Sequence, residues 1–130
     1  MTKHVVAGIL YRDERVLLCQ RKRGSRYELF WEFPGGKVEE NETADAALIR
    51  ELQEELSITI TSFTPLREYK TEYNDGGVFI VTFYLVTQWQ GGPHNNVFED
   101  MKWCTPTSVL DYNVLEGNIP ICKELPKLLK

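Results

Sequence analysis

The stretch Gly35–Ile58, GGKVEENETADAALIRELQEELSI, decides how the rest of the chain is read, because it sets several carboxylates at fixed distances from a glycine pair. Ala47, Leu48, Leu52 and Leu56 recur at helical spacing with good helix formers between them. The pattern therefore predicts an amphipathic helix over Ala44–Leu56 with Thr43 as its N-cap. On that helix Glu51, Glu54 and Glu55 stand at i, i+3 and i+4, which brings their carboxylates to one side, about one turn apart. Like charges so placed repel. They face open water, as acidic helix faces usually do, or they gather around a hard divalent cation that prefers oxygen ligands, for which Mg²⁺ or Mn²⁺ is the natural guest.

Just upstream, Leu29–Phe33 reads as a short strand delivering Pro34, Gly35 and Gly36 to the helix, and strand, glycine turn, helix is the geometry of a phosphate site. The glycines serve either an ordinary turn or the close approach of backbone to a metal or phosphate. Five residues separate Gly36 from Glu42 and seven more separate Glu42 from Arg50, after which Glu51, Leu52, Glu54, Glu55 and Ile58 follow in fixed rhythm. This resembles the box of the MutT-like Nudix hydrolases, G-x5-E-x7-R-E-U-x-E-E-x-G-U, where U is a large aliphatic residue. The match departs at Ser57, where the family has glycine just past the helix. Serine there costs about 1 kcal/mol if a left-handed conformation is kept, which touches helix termination rather than metal chemistry.

The resemblance covers essentially the whole chain, 1–130, as one domain. It sharpens a mixed order of strands and helices, α/β or α+β by pattern alone, to a Nudix-type α/β/α sandwich with a mixed β-sheet. It implies that Glu54 and Glu55 are the chief ligands of Mg²⁺ (or Mn²⁺) together with the carbonyl of Gly36. Glu51 would be a further ligand or the general base, and Arg50 would hold that carboxylate in place. Without the box, Arg50 reads as an i,i+4 partner of Glu54. A further catalytic acid is expected from FEDMKW, with Glu99 or Asp100 the alternatives and plain loop acids the other reading.

Arg21 and Lys22 match the position of a phosphate-binding base in MutT-like proteins. Asn118, in EGNIP, matches the asparagine that reads the purine, although its residue type and Pro120 suit the N-cap of a last helix equally. Phe33 and Tyr73 complete the expected substrate-binding set. The reaction implied is Mg²⁺-dependent hydrolysis of a nucleoside triphosphate to a monophosphate and pyrophosphate. Oxidised guanine nucleotide (8-oxo-dGTP) is the favoured substrate and nucleotide-pool sanitation the role, with DNA repair as its consequence. CTP or methylated dCTP is the alternative. A non-catalytic nucleotide-sensing domain is the reading from another class, and it is disfavoured because Glu42, Glu51, Glu54 and Glu55 are all present.

Composition fits this reading. A chain of 130 residues buries one sizeable core, and 42% hydrophobic residues with a net charge of −4 exclude an electrostatic nucleic-acid binder. Cys19, Cys104 and Cys122 are odd in number and lack C-x-x-C spacing, so they read as reduced core thiols of a cytoplasmic protein. No run looks like a signal peptide or approaches the ~20 apolar residues of a membrane span. The expected partner is a small nucleotide, with no membrane and no nucleic acid, acting on a monomer or homodimer. His4 and His94 lie in a strand and a loop with no nucleophile motif, which excludes a catalytic triad. Strands are expected at His4–Tyr11, Arg15–Arg21, Ile58–Phe63, Leu66–Tyr73, Val78–Trp89 and Phe98–Cys104, with Asn74–Gly77 a hairpin turn and Ile119–Leu129 a closing helix.

Overall fold

VVAGIL, residues 5–10, is apolar on both faces, as only a strand covered on both sides can be. In a computed structural model, which describes residues 2–130, these residues form the middle of β1 (Thr2–Arg12), the strand on which the others assemble. The chain continues through β2 (Arg15–Gln20), β3 (Trp31–Glu32), β4 (Gly35–Lys37), α1 (Ala44–Leu56), β5 (Thr59–Glu72), β6 (Val78–Gln90) and β7 (Asp100–Cys104). Two short 3₁₀ turns, Val109–Asp111 and Glu116–Asn118, lead into α2 (Ile119–Leu128). β1 pairs in parallel with β6 and antiparallel with β2 and β4, and the remaining pairs are antiparallel, so the sheet is mixed, with β3-β2-β1-β6-β5 as its main order.

The alternation along β1 sorts the core into two layers. Val6 and Leu10 pack with Leu17, Tyr84 and Val86 against Ala47, Leu48, Leu52 and Leu56 of α1. Ala7 and Ile9 point the other way, with Val16, Leu18 and Phe83, against Ile121, Cys122 and Leu125 of α2. The helices therefore cover opposite faces, the expected α/β/α arrangement. All three cysteines are free and buried, and burial raises the thiols of Cys104 to about 11 and Cys122 to about 12. No helix of the described residues is long and apolar enough to cross a membrane.

Three expectations change. The two strands expected on either side of Pro65 are one strand, β5, with register shifts near Ser62 and Pro65. Pro65 is tolerated because β5 lies at the end of the sheet order, where a missing ladder donor leaves no partner unpaired. The strand expected over Leu29–Phe33 shrinks to Trp31–Glu32, since Leu29 is left-handed at φ 65°. The glycine turn is itself a strand, β4, paired with Val5–Ala7.

Ser57 does adopt the left-handed conformation that the missing glycine would have supplied, at φ 57°. The loop after β6 compensates. His94 N–H donates to the Leu56 carbonyl at 2.8 Å, Asn96 N–H to that of Glu55 at 3.1 Å, and the Asn96 side-chain amide to the Glu54 carbonyl at 2.9 Å and to Ser57 Oγ at 2.8 Å. The orphan carbonyls at the end of α1 are thus satisfied.

Candidate active site

β4 lies so close to β1 that a side chain on Gly35 would collide with the Val6 carbonyl, and one on Gly36 would collide with the Glu51 carboxyl. The glycines therefore serve close approach rather than a turn. With the backbone this exposed, Glu55 Oε1 accepts the Gly35 N–H at 3.0 Å, so Glu51 and Glu55 of α1 converge on the glycine pair.

Arg50 organises the carboxylates next to them. Its Nε and Nη2 donate to Glu42 at 2.7 and 3.0 Å, Nη1 to Glu51 at 2.8 Å, and Nη2 to the Lys37 carbonyl at 3.1 Å. Glu54 stands farther away, at 3.5 Å. The fork thus holds Glu51, as the box implies, and the helical pair with Glu54 is longer than the contacts with Glu42 and Glu51. Arg50 and the Glu39 N–H together hold the Glu42 carboxyl down at about 2. Glu55 lies at the other extreme: burial first, then the charges of Glu51, Glu32 and Glu54, push it up to about 9 against the opposing Gly35 N–H bond.

Among the described residues no three acidic, imidazole or thiol groups form a ready metal cage, and Arg50 stands among Glu42, Glu51 and Glu54. The donor chemistry nevertheless fits a hard cation. Glu55 is a half-buried carboxylate without a cationic partner, surrounded by like charge beside the bare backbone of Gly35 and Gly36, and a divalent ion would relieve that repulsion.

Two cavities of about 270 Å³ each adjoin at one ion pair. Arg21 Nη1 donates to both oxygens of Glu32, at 3.2 and 3.0 Å, its Nε donates to the Arg26 carbonyl at 2.7 Å, and both residues line both cavities. The first cavity holds Gly35, Gly36, Glu55, Lys22 and Phe98, and the second Tyr27, Tyr73, Phe79, Val81 and Leu115. One is acidic with a basic rim, and the other is mostly aromatic and aliphatic.

Tyr73 is half-buried in the aromatic cavity, its hydroxyl accepting the Gly117 N–H at 3.1 Å and its ring 5.3 Å from those of Tyr27 and Phe79. Phe33 sends its ring into the core, edge-on to Phe83, so it enters the site through its backbone. Its N–H donates to Asn118 Oδ1 at 3.0 Å. Asn118 does occupy the N-cap position of α2, yet its side chain makes no capping bond there. Glu99 is turned toward the loop, accepting the Arg23 N–H at 3.1 Å, and Asp100 pairs loosely with Lys102 at 3.9 Å.

Sequence reasoning missed Glu32, the carboxylate between the cavities, although a lone acid inside LFWEFP is a visible cue to a paired buried charge. It also missed the clasp between Arg26, Tyr27 and Asp75, in which Tyr27 Oη donates to Asp75 at 2.7 Å. No spacing rule links residues so far apart.

A family model described as "NUDIX domain" matches residues 1–125. An 8-oxo-dGTP diphosphatase of Proteus vulgaris is 42% identical over 88 residues, 67% of this chain and 78% of that protein. A CTP pyrophosphohydrolase of Escherichia coli is 35% identical over 117 residues, 90% of this chain and 86% of that protein. The solution structure of the E. coli ORF135 protein superposes with a TM-score of 0.87 at 33% identity, covering 98% of this chain and 90% of that one.

Proposed function

The chain belongs to the Nudix family of hydrolases, and from that premise we propose that it hydrolyses a nucleoside triphosphate, with Mg²⁺, to the monophosphate and pyrophosphate, preferring oxidised guanine nucleotide. Glu54 and Glu55, with the Gly36 carbonyl, hold the cation. When bound, the cation offsets charge on the phosphate oxygens and acidifies water. Glu51, clamped by Arg50 and lying against Gly36, accepts the proton of the attacking water. Glu99 supports it from the loop, and Arg21 and Lys22 bind the outer phosphates at the rim. Arg21 keeps its Nη2 edge unused by Glu32 and Arg26, which suits it to a phosphate oxygen.

The observation that carries the base preference is Asn118. Its Oδ1 is committed to the Phe33 N–H, which leaves its NH₂ as the group with capacity to spare. A donor meets the 6-keto edge of a guanine and meets the amino edge of an adenine or cytosine poorly. Tyr73 and the aromatic cavity supply the ring contact. A relative named 8-oxo-dGTP diphosphatase supports this choice, and one named CTP pyrophosphohydrolase keeps the cytidine reading as the alternative.

A panel of triphosphates incubated with Mg²⁺, read as kcat/KM for pyrophosphate release, tests both readings. The expected order places 8-oxo-dGTP first. CTP or 5-methyl-dCTP at the top transfers the assignment to the alternative, and no pyrophosphate from any triphosphate removes the proposed reaction.

A further inference from the structure

A further cavity, about 490 Å³, lies away from the carboxylates and is lined by Arg12, Asp13, Arg15 and Trp103. β4 pairs with Val5–Ala7, and Arg12 lies five residues farther along β1 than Ala7, which places it roughly 17 Å away at the rise of a strand. Arg12 and Arg15 are direct cross-strand partners closing a two-residue turn, with Asp13 and Glu14 both left-handed at φ 53° and 63°. Partners across a strand pair project to the same side with Cβ atoms about 5 Å apart, where two like charges repel. Neither guanidinium is neutralised: the arginine ion pairs among the described residues use Arg21, Arg26, Arg50 and Arg67.

The aromatic side of this cavity is equally unusual. The Arg12 guanidinium lies over Trp89, 3.7 Å from the ring centroid, and a stacked guanidinium keeps its in-plane N–H donors available for a bidentate anion while losing little freedom on binding. Trp103 stacks on Trp89 at 6.3 Å and 18° and remains 39% exposed, so an indole surface stands beside the arginines. Trp89 Nε1 is the buried side-chain polar atom that lacks a hydrogen-bond partner among the described residues.

The geometry points to a second, non-catalytic binding site for a mononucleotide, with its phosphate between Arg12 and Arg15 and its base on Trp103. Two cations and the Asp13 carboxylate leave a net charge suited to one phosphate group rather than a triphosphate chain. Asp13 accepts from a sugar hydroxyl or an exocyclic amine. The cavity has the volume of a small-ligand site, and the chain's overall −4 charge opposes a longer polyanion. This inference rests on the arginine–tryptophan end alone and stands whatever triphosphate the carboxylate site prefers.

The test is an NMR titration of the ¹⁵N-labelled chain with AMP in EDTA, following the indole N–H signals of Trp31, Trp89 and Trp103 separately, with inorganic phosphate and adenosine as half-ligands. The Trp89 and Trp103 signals should shift saturably, and AMP should bind at least about tenfold tighter than either half-ligand, the gain expected when linked groups bind together. Arg15→Gln should weaken AMP by about tenfold or more, the loss of one charge-assisted phosphate contact, without altering catalytic turnover. Trp103→Leu should leave phosphate binding and remove the gain from the base. Trp89 and Trp103 signals that stay still at about 10 mM AMP, beyond the weak end of ordinary binding, would overturn the site. So would an affinity for oligonucleotides that climbs with length, which would make the surface a strand-binding one.

Discussion

The two adjoining cavities are built in opposite ways. In the acidic one the glycine pair and Glu55 come from one stretch of chain, in which Arg50 also fixes Glu42 and Glu51, and the rim of Arg21, Lys22 and Phe98 is added from other segments. The aromatic one takes Tyr27, Tyr73, Phe79 and Leu115 from separated segments, with the Gly117 N–H tying Tyr73 to the entry of α2. Chemistry held by local spacing tolerates change elsewhere in the fold, whereas a base pocket assembled from distant segments can be retuned one segment at a time. This is consistent with relatives of similar sequence that carry names for different nucleotides.

The largest effect should come from the local side. Glu55→Gln removes charge from the proposed metal site and should lower kcat by at least ~100-fold, because electrostatic stabilisation of this kind is worth several kcal/mol. Unchanged turnover in limiting Mg²⁺ would take Glu55 out of the site. On the distant side, Asn118→Ala should leave kcat for a poor substrate nearly intact while eroding the preference among bases by roughly 10- to 100-fold, the worth of one buried hydrogen-bond partner. An equal loss across the nucleotide panel would mean that Asn118 only braces Phe33.

Stability with pH separates the two sides again. In the unfolded chain Glu55 loses its proton near 4.5, whereas in the folded, metal-free protein it keeps it up to about 9. Below pH 4.5 the residue is neutral in both states and contributes no penalty. Between about 4.5 and 9 the unfolded state sheds the proton first, so stability should decline as pH rises across that window. Melting in EDTA from pH 5 to 9 should show a decline that Glu55→Gln reduces. The smallest effect belongs to the helix terminus. Ser57→Gly relieves the left-handed strain of about 1 kcal/mol but loses the Oγ contact with Asn96, so chemical denaturation should find the variant within about 1 kcal/mol of the parent.

What was legible follows the same division. Helix α1, its Thr43 cap and its buried leucines were readable because each depends on residues within a few turns of one another, whereas the Arg50–Glu51 contact came from the resemblance to the box, bare spacing having pointed to Glu54. The left-handed Ser57 was readable from the one glycine that the box lacks. The continuity of β5 through Pro65 was hidden, since proline signals a break and only the strand's edge position overrides that signal. Likewise Gly35–Lys37 gave no strand pattern, because its ladder with β1 depends on a close approach made long-range. Glu32 and the Arg26–Tyr27–Asp75 clasp depend on contacts between distant segments, which periodicity does not encode.

The central claim is that a half-buried, high-pKa Glu55 is kept for a divalent cation, and metal binding measured against pH tests it most directly. Titration of the nucleotide-free protein with Mn²⁺ should give an affinity that rises by up to about tenfold per pH unit below pH 9, with release of about one proton per ion. In Glu55→Gln the binding should be weaker and nearly flat with pH. Equal affinity in both proteins, without proton release, would contradict the account.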